Sequence, residues 1–178
     1  LRGLLDDARQ RSRSDHDVVF LLSGGIDSTY ALYRLVEMGV RPYALTLDNG
    51  YISDGAKANI SSAVNHLGIP HEYLTTPAMP EIFRDSLARH SNVCTGCYKA
   101  LYTLAANRAV ALGISTIVTG LSRGQLFETR LTPGQFADGR FDPQAIDAAV
   151  IAARKRYHRH DDAPGRLLDT EIFEDDGF

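Results

Sequence analysis

Apolar residues recur along the chain with two alternating periods. Val18-Val19-Phe20-Leu21-Leu22 is a continuous apolar run of strand length, and Tyr43-Ala44-Leu45-Thr46-Leu47, His71 to Leu74 and Ser115 to Thr119 are short segments of similar kind. Short runs of this kind predict strands covered on both faces. Between them the spacing becomes that of amphipathic helices. Ala31, Leu32, Leu35 and Val36 share one face of a helix predicted over 27–38, which Gly39 stops and Pro42 follows. Ala56, Ile60, Ala63, Val64 and Leu67 share a face of the next, with Ser53 as its cap and Gly68 and Pro70 at its end. A Pro-bounded helix spans about 79–90, and another carries Leu101, Leu104, Ala105 and Leu112 inward before Gly113. Leu1, Leu4, Leu5 and Ala8 line one side of a short charged helix or linker ahead of the first strand.

Strands alternating with helices predict an α/β, Rossmann-like parallel sheet of four to five strands, with helices on both faces and right-handed crossovers. Ligands of such sheets bind beyond the carboxyl ends of the strands. Three predicted loops leave such ends, at 23–28, 48–50 and 120–123. Residues 120–141 carry Gly, Arg and Pro without periodicity, which predicts a functional lid or a disordered segment. Asp142-Pro143 opens a last predicted helix with Ile146, Ala149, Val150 and Ala153 along one face. The acidic tail from His158 is expected to dock on a partner or another domain. The chain thus divides into an N-terminal helix or linker (1–16), a main domain (17–125) and a substrate loop, helix and acidic extension (126–178).

Composition narrows the class. With 178 residues, 44% hydrophobic and 23% charged, the chain has an ordinary globular balance and enough length for a core. A formal net charge of −3 argues against a nucleic-acid binder that relies on overall charge, though not against a local basic patch. No apolar run is long enough to span a membrane, and no basic-then-apolar signal segment opens the chain. Two cysteines do not make a disulfide-stapled secreted fold, so the cytoplasm is the expected compartment. A chain opening on Leu1 is expected to be a fragment or domain of a longer protein, or otherwise to form a homo-oligomer.

The most informative segment is Ser23-Gly24-Gly25-Ile26-Asp27-Ser28. It lies between a predicted buried strand and a predicted helix. A turn there aims backbone N–H groups and the positive end of a helix dipole at one spot, which suits phosphate. Gly24 and Gly25 let backbone approach an anion, and Ser23 and Ser28 add hydroxyls. Asp27 repels phosphate unless a cation lies between them, which implies Mg²⁺ or a nearby Arg or Lys. No Gly-Lys-Ser/Thr follows the glycines, so no lysine reaches the phosphates in the Walker manner.

The hexapeptide resembles the PP-loop, Ser-Gly-Gly-x-Asp-Ser, of the N-type ATP pyrophosphatases. That resemblance implies the adenine nucleotide α-hydrolase type of fold and ATP with Mg²⁺. It also implies cleavage between the α and β phosphates, with AMP placed on a substrate oxygen. Cys94-x-x-Cys97-x-Lys99 before a Leu-Tyr-bearing helix is similar to the sulfur-transferring PP-loop enzymes, which thiolate tRNA bases or build sulfur-bearing cofactors. Leu47-Asp48-Asn49-Gly50-Tyr51 followed by Ala58-Asn59-Ile60 also resembles the N-acetyl-sugar amidotransferases of the superfamily. The first expectation is therefore an amidotransferase-like second step, in which nitrogen displaces AMP. The alternatives are thiolation through Cys94 and Cys97, and a nucleotide-binding regulatory domain without turnover. An acceptor substrate and an ammonia- or sulfur-donor protein are the implied partners.

Further site residues follow from position. Cys94 and Cys97 precede a helix, and a helix N-terminus favours thiolate, more so for Cys97. The pair suits a persulfide or disulfide cycle, half of a zinc or Fe–S site completed from outside the chain, a loop clip, or two small buried residues. Lys99, one of three lysines with Lys57 and Lys155, is a candidate cation for the separating AMP and pyrophosphate. Arg123, after Gly120, suits phosphate or carboxylate, and Arg130 equally suits a surface ion pair. Asp48 is a candidate for Mg²⁺ or a ribose hydroxyl, or else a turn cap. His158-Arg159-His160-Asp161-Asp162 has metal-ligand character but reads first as a solvated tail.

Overall fold

The computed structural model describes residues 2–121, 158 and 161–174. Four parallel strands, β1 (Val18–Leu21), β2 (Pro42–Leu47), β3 (His71–Leu74) and β4 (Ile117–Thr119), form one sheet in the order β3-β2-β1-β4. The helices are α1 (Arg2–Arg11), α2 (Ile26–Glu37), α3 (Asp54–Leu67), α4 (Met79–His90), α5 (Cys94–Ala111) and the short α6 (Ala163–Leu167). The chain steps from β1 to β2 to β3 in one direction and returns with β4 on the other side of β1. Right-handed crossovers then put α2 and α3 on one face of the sheet, and α4 and α5 on the other.

Burial follows the alternation of the strands. Val18, Phe20, Leu22 and Ala44 pack with Leu5 and Ala8 of α1, Leu32 and Leu35 of α2, and Ile60 and Val64 of α3. The intervening residues Val19, Leu21, Leu45, Leu47 and Leu74 pack with Met79 and Ile82 of α4 and with Ala100, Tyr102, Ala105 and Ala109 of α5. Successive side chains of a strand point to opposite faces. β1 reads as one apolar run because both of its faces are covered. Among the described residues no helix is long and apolar enough to cross a membrane.

Two expectations change. α5 begins at Cys94 itself, so the cysteine pair lies inside its first turns rather than ahead of it. Ser86 of α4 fixes that start, because its hydroxyl accepts the Gly96 N–H (3.0 Å) and donates to the Asn92 carbonyl (2.7 Å). The described part of the C-terminal segment packs on this chain's own α4 and α5. Asp162 accepts the Gly165 N–H (3.1 Å) as cap of α6, and the Ala163 N–H donates to Asp85 (2.9 Å). His158 shares a 3.0 Å hydrogen bond with the Thr103 hydroxyl and stacks on Phe173 with ring centroids 4.2 Å apart. His158 and Asp162 are thus buried, not solvated. The predicted helix from Asp142 and the 122–157 stretch around it lie outside the described residues.

Asp17 ties α1 and the start of β2 to the root of β1. Its buried carboxylate accepts the Arg41 backbone N–H (2.9 Å), the Arg41 guanidinium (2.7 and 3.2 Å) and Arg9 Nε (3.4 Å). Burial pushes this carboxyl up, but the Arg41 bonds and charge, with Arg9, outweigh it and hold it below its ordinary value. A depressed carboxyl stabilises the fold above its unfolded value, and that contribution is lost as pH falls through the folded one. Denaturant unfolding across the acid range will therefore show stability falling below about pH 4. Asp17→Asn will flatten that limb and lower stability at neutral pH by about 1.5–3 kcal/mol, the range for a hydrogen bond to a charged group.

Candidate functional site

The loop after β1 is anchored at its root by the neighbouring strand. The Thr46 hydroxyl donates to the Leu22 carbonyl (2.6 Å), and the Leu22 N–H donates to the Leu45 carbonyl (2.9 Å). With the Thr46 proton engaged, His71 Nε2 is the donor of the 2.9 Å bond to the same hydroxyl oxygen. Burial pulls the His71 imidazole below its ordinary value, which favours the neutral ring.

Gly24 then turns with φ +77°, and a Cβ there would lie 2.7 Å from the Ala56 carbonyl oxygen of α3. Its own carbonyl accepts Asn59 Nδ2 (3.3 Å). Gly25 is the N-cap of α2 with no side-chain cap, and the Thr29 N–H is bonded to its carbonyl at 3.0 Å. The preceding amides of Ile26, Asp27 and Ser28 have no intrahelical acceptor. The serines organise the interior of the loop. Ser28 Oγ is buried, donates to the Gly25 carbonyl (3.2 Å), accepts the Ser23 N–H (3.3 Å) and shares a 2.9 Å bond with Ser23 Oγ. Ser23, Gly25 and Asp27 are exposed.

From the other side of β1, Gly120 closes on the same loop. A Cβ at Gly120 would stand 2.7 Å from Ser28 Cα. The crevice therefore lies where the crossovers diverge, between β1 and β4, the ligand position of open α/β sheets. The residues fit a phosphate: uncapped amides at a helix N-terminus, a free approach over Gly25 and an exposed hydroxyl at Ser23. A cleft of about 560 Å³ continues beside the loop between α2 and α3, bordered by Gly24, Gly25, Tyr30, Asn59 and His66.

The end of β2 forms a second margin. Asp48 accepts the Gly50 N–H (3.0 Å) and Lys57 Nζ (3.2 Å), which hold its carboxyl below the usual value against a smaller effect of burial. Asn49 reaches across to α5, where its Nδ2 lies 3.5 Å from Cys97 Sγ. Both cysteines are free thiols, Cys94 exposed and Cys97 half-buried. Burial pushes the Cys97 thiol up, more than the Asn49 N–H lowers it, so the expectation that helix position makes Cys97 thiolate-rich is corrected. Among the described residues no group of three or more His, Cys, Asp or Glu side chains gathers to hold a metal.

Lys99 lies 1% exposed inside the α4–α5–α6 packing, its ammonium on the Asp162 carboxylate. Burial pulls it below the usual lysine value, and Asp162 counteracts part of that. Asp162 therefore compensates the charge that the sequence assigned to the separating phosphates. Arg123 and Arg130 lie outside the described residues. Thr46 and His71 hold roles with no signal in the sequence, whereas Asn49, Asn59 and Asp162 belong to segments singled out above and gain their partners only in the fold. Asn49 had a local signal in the Asp-Asn-Gly turn, and the others act through contacts distant in sequence.

Loop and sheet together define a PP-loop ATP pyrophosphatase-type domain. The chain belongs to the family whose model is described as thiamine biosynthesis protein (ThiI), which matches residues 13–132. The 7-cyano-7-deazaguanine synthase 2 of Colwellia psychrerythraea is 32% identical over 85 residues, covering 47% of this chain and 39% of that protein. The 7-cyano-7-deazaguanine synthase of Psychromonas ingrahamii is 28% identical over 123 residues, covering 60% of this chain and 56% of that protein. The chain thus spans about half the length of these curated relatives or less. A glutamine-dependent NAD+ synthetase from Acinetobacter baumannii, solved with adenosine diphosphate, shares the fold with a TM-score of 0.52 at 16% identity, covering 97% of this chain and 42% of that one.

The two serines separate by experiment. Ser28→Ala removes a buried hydroxyl with three loop contacts and will lower stability without nucleotide by about 1 kcal/mol. Ser23→Ala will leave the melting temperature within a degree or two and weaken ATP binding. Calorimetric titration beside thermal melts reads both, and the reverse pattern would make Ser23 the structural serine.

Proposed function

We propose that the chain is the catalytic domain of an ATP-dependent, AMP-forming enzyme. The observation that carries this reading is the uncapped, exposed N-terminus of α2, closed in by Gly24 and Gly120 at the divergence of the crossovers. The β and γ phosphates of ATP take the 23–28 loop. A substrate oxygen attacks the α phosphorus, the bond from that phosphorus to the bridging oxygen breaks, and pyrophosphate leaves with the electron pair. The acceptor becomes an adenylate, and a second nucleophile then displaces AMP.

This chain contributes positioning and charge stabilisation. The amides of residues 26–28 and the α2 dipole face the negative charge of the leaving pyrophosphate. The Ser23 hydroxyl turns from its bond with Ser28 to donate to a phosphate oxygen, while Ser28 stays fixed by Gly25. Asp27 and Asp48 are the carboxylates that would hold Mg²⁺, which supplies counter-charge to the phosphates when bound. Gly120 keeps the far wall close to Ser28, and Arg123 follows it as a candidate phosphate fork. Lys99 in this reading fixes α5 rather than touching phosphate.

Two nucleophiles remain in play for the second step. Nitrogen is supported by the relatives' names, since a cyano group and a glutamine-dependent synthetase both require a nitrogen source. Sulfur is supported by the family description, thiamine being a sulfur-bearing molecule, and by Cys97 of α5, which meets Asn49 of the turn after β2. Ammonia or sulfide, offered with ATP and candidate acceptors, separates them. Turnover with ammonia that survives Cys97→Ser supports amidation. Sulfide-dependent product, in which sulfide attacks the adenylated carbon and AMP leaves, supports thiolation. Either way, Asp27→Ala will slow exchange of labelled pyrophosphate into ATP by roughly 100-fold or more, with the fold intact. Normal exchange in that variant would overturn the site, and nucleotide binding without any exchange in the wild type would leave a regulatory domain.

A further inference from the structure

The turn at the end of β2 has two polar arms that reach opposite helical layers. Asp48 takes Lys57 of α3 at 3.2 Å, and Asn49 takes Cys97 of α5 at 3.5 Å. The Asn49 carboxamide has only one orientation that fits its neighbours. Its Oδ1 accepts the Tyr51 N–H at 2.9 Å, so Oδ1 is turned toward the turn backbone and the Nδ2 hydrogens are turned toward the sulfur. A flipped amide would set two N–H groups against each other and remove the only donor facing Cys97 in this contact. Tyr51, whose ring lies 5.7 Å from that of Phe83, helps hold the turn against α4. The sulfur of Cys97 is therefore met by a donor whose direction is fixed by backbone. Cys94, one helical turn away, is exposed.

We propose that Asn49 is a positioning residue for Cys97, holding its sulfur at the strand-end margin of the nucleotide crevice and donating to it when it carries negative charge. An N–H hydrogen bond to an ionised group is stronger than one to its neutral form, so the carboxamide favours loss of the thiol proton to solvent. It offsets part of the burial that opposes thiolate at this position. The other groups reaching this thiol are few among the described residues: Cys94 from the same helix, and Asn49 from the β2 turn. The same turn carries Asp48, so the residue that places the sulfur is joined through one peptide bond to a residue of the nucleotide margin. The functional use of that sulfur rests on the adenylating reading above, whereas the contact between Asn49 and Cys97 does not.

The test is alkylation of the full-length chain by iodoacetamide as a function of pH, without ATP, in a Cys94→Ser background that leaves one thiol. Asn49→Asp keeps an oxygen for the Tyr51 N–H and removes the donor. Asn49→Ala removes the donor without adding charge. Both variants should move the reaction profile of Cys97 to higher pH, with the rate near pH 7.5 falling about tenfold for each unit of displacement. Melting temperature should stay near that of the parent in Asn49→Asp, because the turn keeps its cap. Profiles equal to the parent in both variants would overturn the proposal. A displacement in Asn49→Asp alone, with Asn49→Ala unchanged, is through-space repulsion and overturns the donor role equally. Because no nucleotide enters the measurement, a chain that alkylates as expected but does not cleave ATP separates this proposal from the functional reading.

Discussion

Backbone meets backbone at two places around the loop after β1, and the rest of the site depends on that closeness. Any side chain at Gly24 would collide with the Ala56 carbonyl at 2.7 Å, and any side chain at Gly120 would collide with Ser28 Cα at the same distance. The first contact seats the loop on α3, and the second brings the end of β4 against the first turn of α2. Between them the helix N-terminus is held uncapped, with the Ser28 hydroxyl bonded inward. Backbone donors held in this way need no reorganisation when an anion arrives, and only the Ser23 hydroxyl has to turn. Gly24 also adopts a positive φ, which a side chain would oppose independently of the collision.

The two helical layers contribute differently to this centre. α2 and α3 supply the anion cradle and its support, Asn59 on the Gly24 carbonyl and Lys57 on Asp48. α4 and α5 bring the cysteines, and they do so through a start that Ser86 and the Asn49 amide define. The C-terminal segment acts on that second layer from behind. Asp162 neutralises Lys99, and His158 fills the space between Thr103 and Phe173. A buried ion pair of this type adds little net stability compared with apolar packing, but removing one partner leaves an unpaired charge. The geometry of the α5 start thus depends on residues more than sixty positions away along the chain.

Much of the architecture was legible because local patterns and tertiary roles agree. The continuous run at β1 gave a doubly covered strand, and the alternating helices gave a parallel sheet, now seen with four strands. The PP-loop was legible because its chemistry is local: glycines, hydroxyls and a helix start within six residues. What escaped were roles created by packing. Lys99 looks like a free cation in a helical first turn, and only the return of the C-terminal segment reveals Asp162 beside it. Cys97 looks activated by its helix, yet burial against the β2 turn has the opposite effect on its thiol. The acidic tail looks solvated because its buried groups among the described residues, His158, Asp162 to Pro164 and Phe173, are set among charged residues.

The central claim is that the loop at 23–28 holds the β and γ phosphates so that ATP breaks between its α and β phosphorus atoms. Phosphorus-31 NMR of the protein with ATP, Mg²⁺ and an acceptor reads the bond directly. The account predicts pyrophosphate, with the remaining phosphorus appearing as AMP or an adenylated acceptor. Accumulation of ADP and inorganic phosphate as primary products would contradict it.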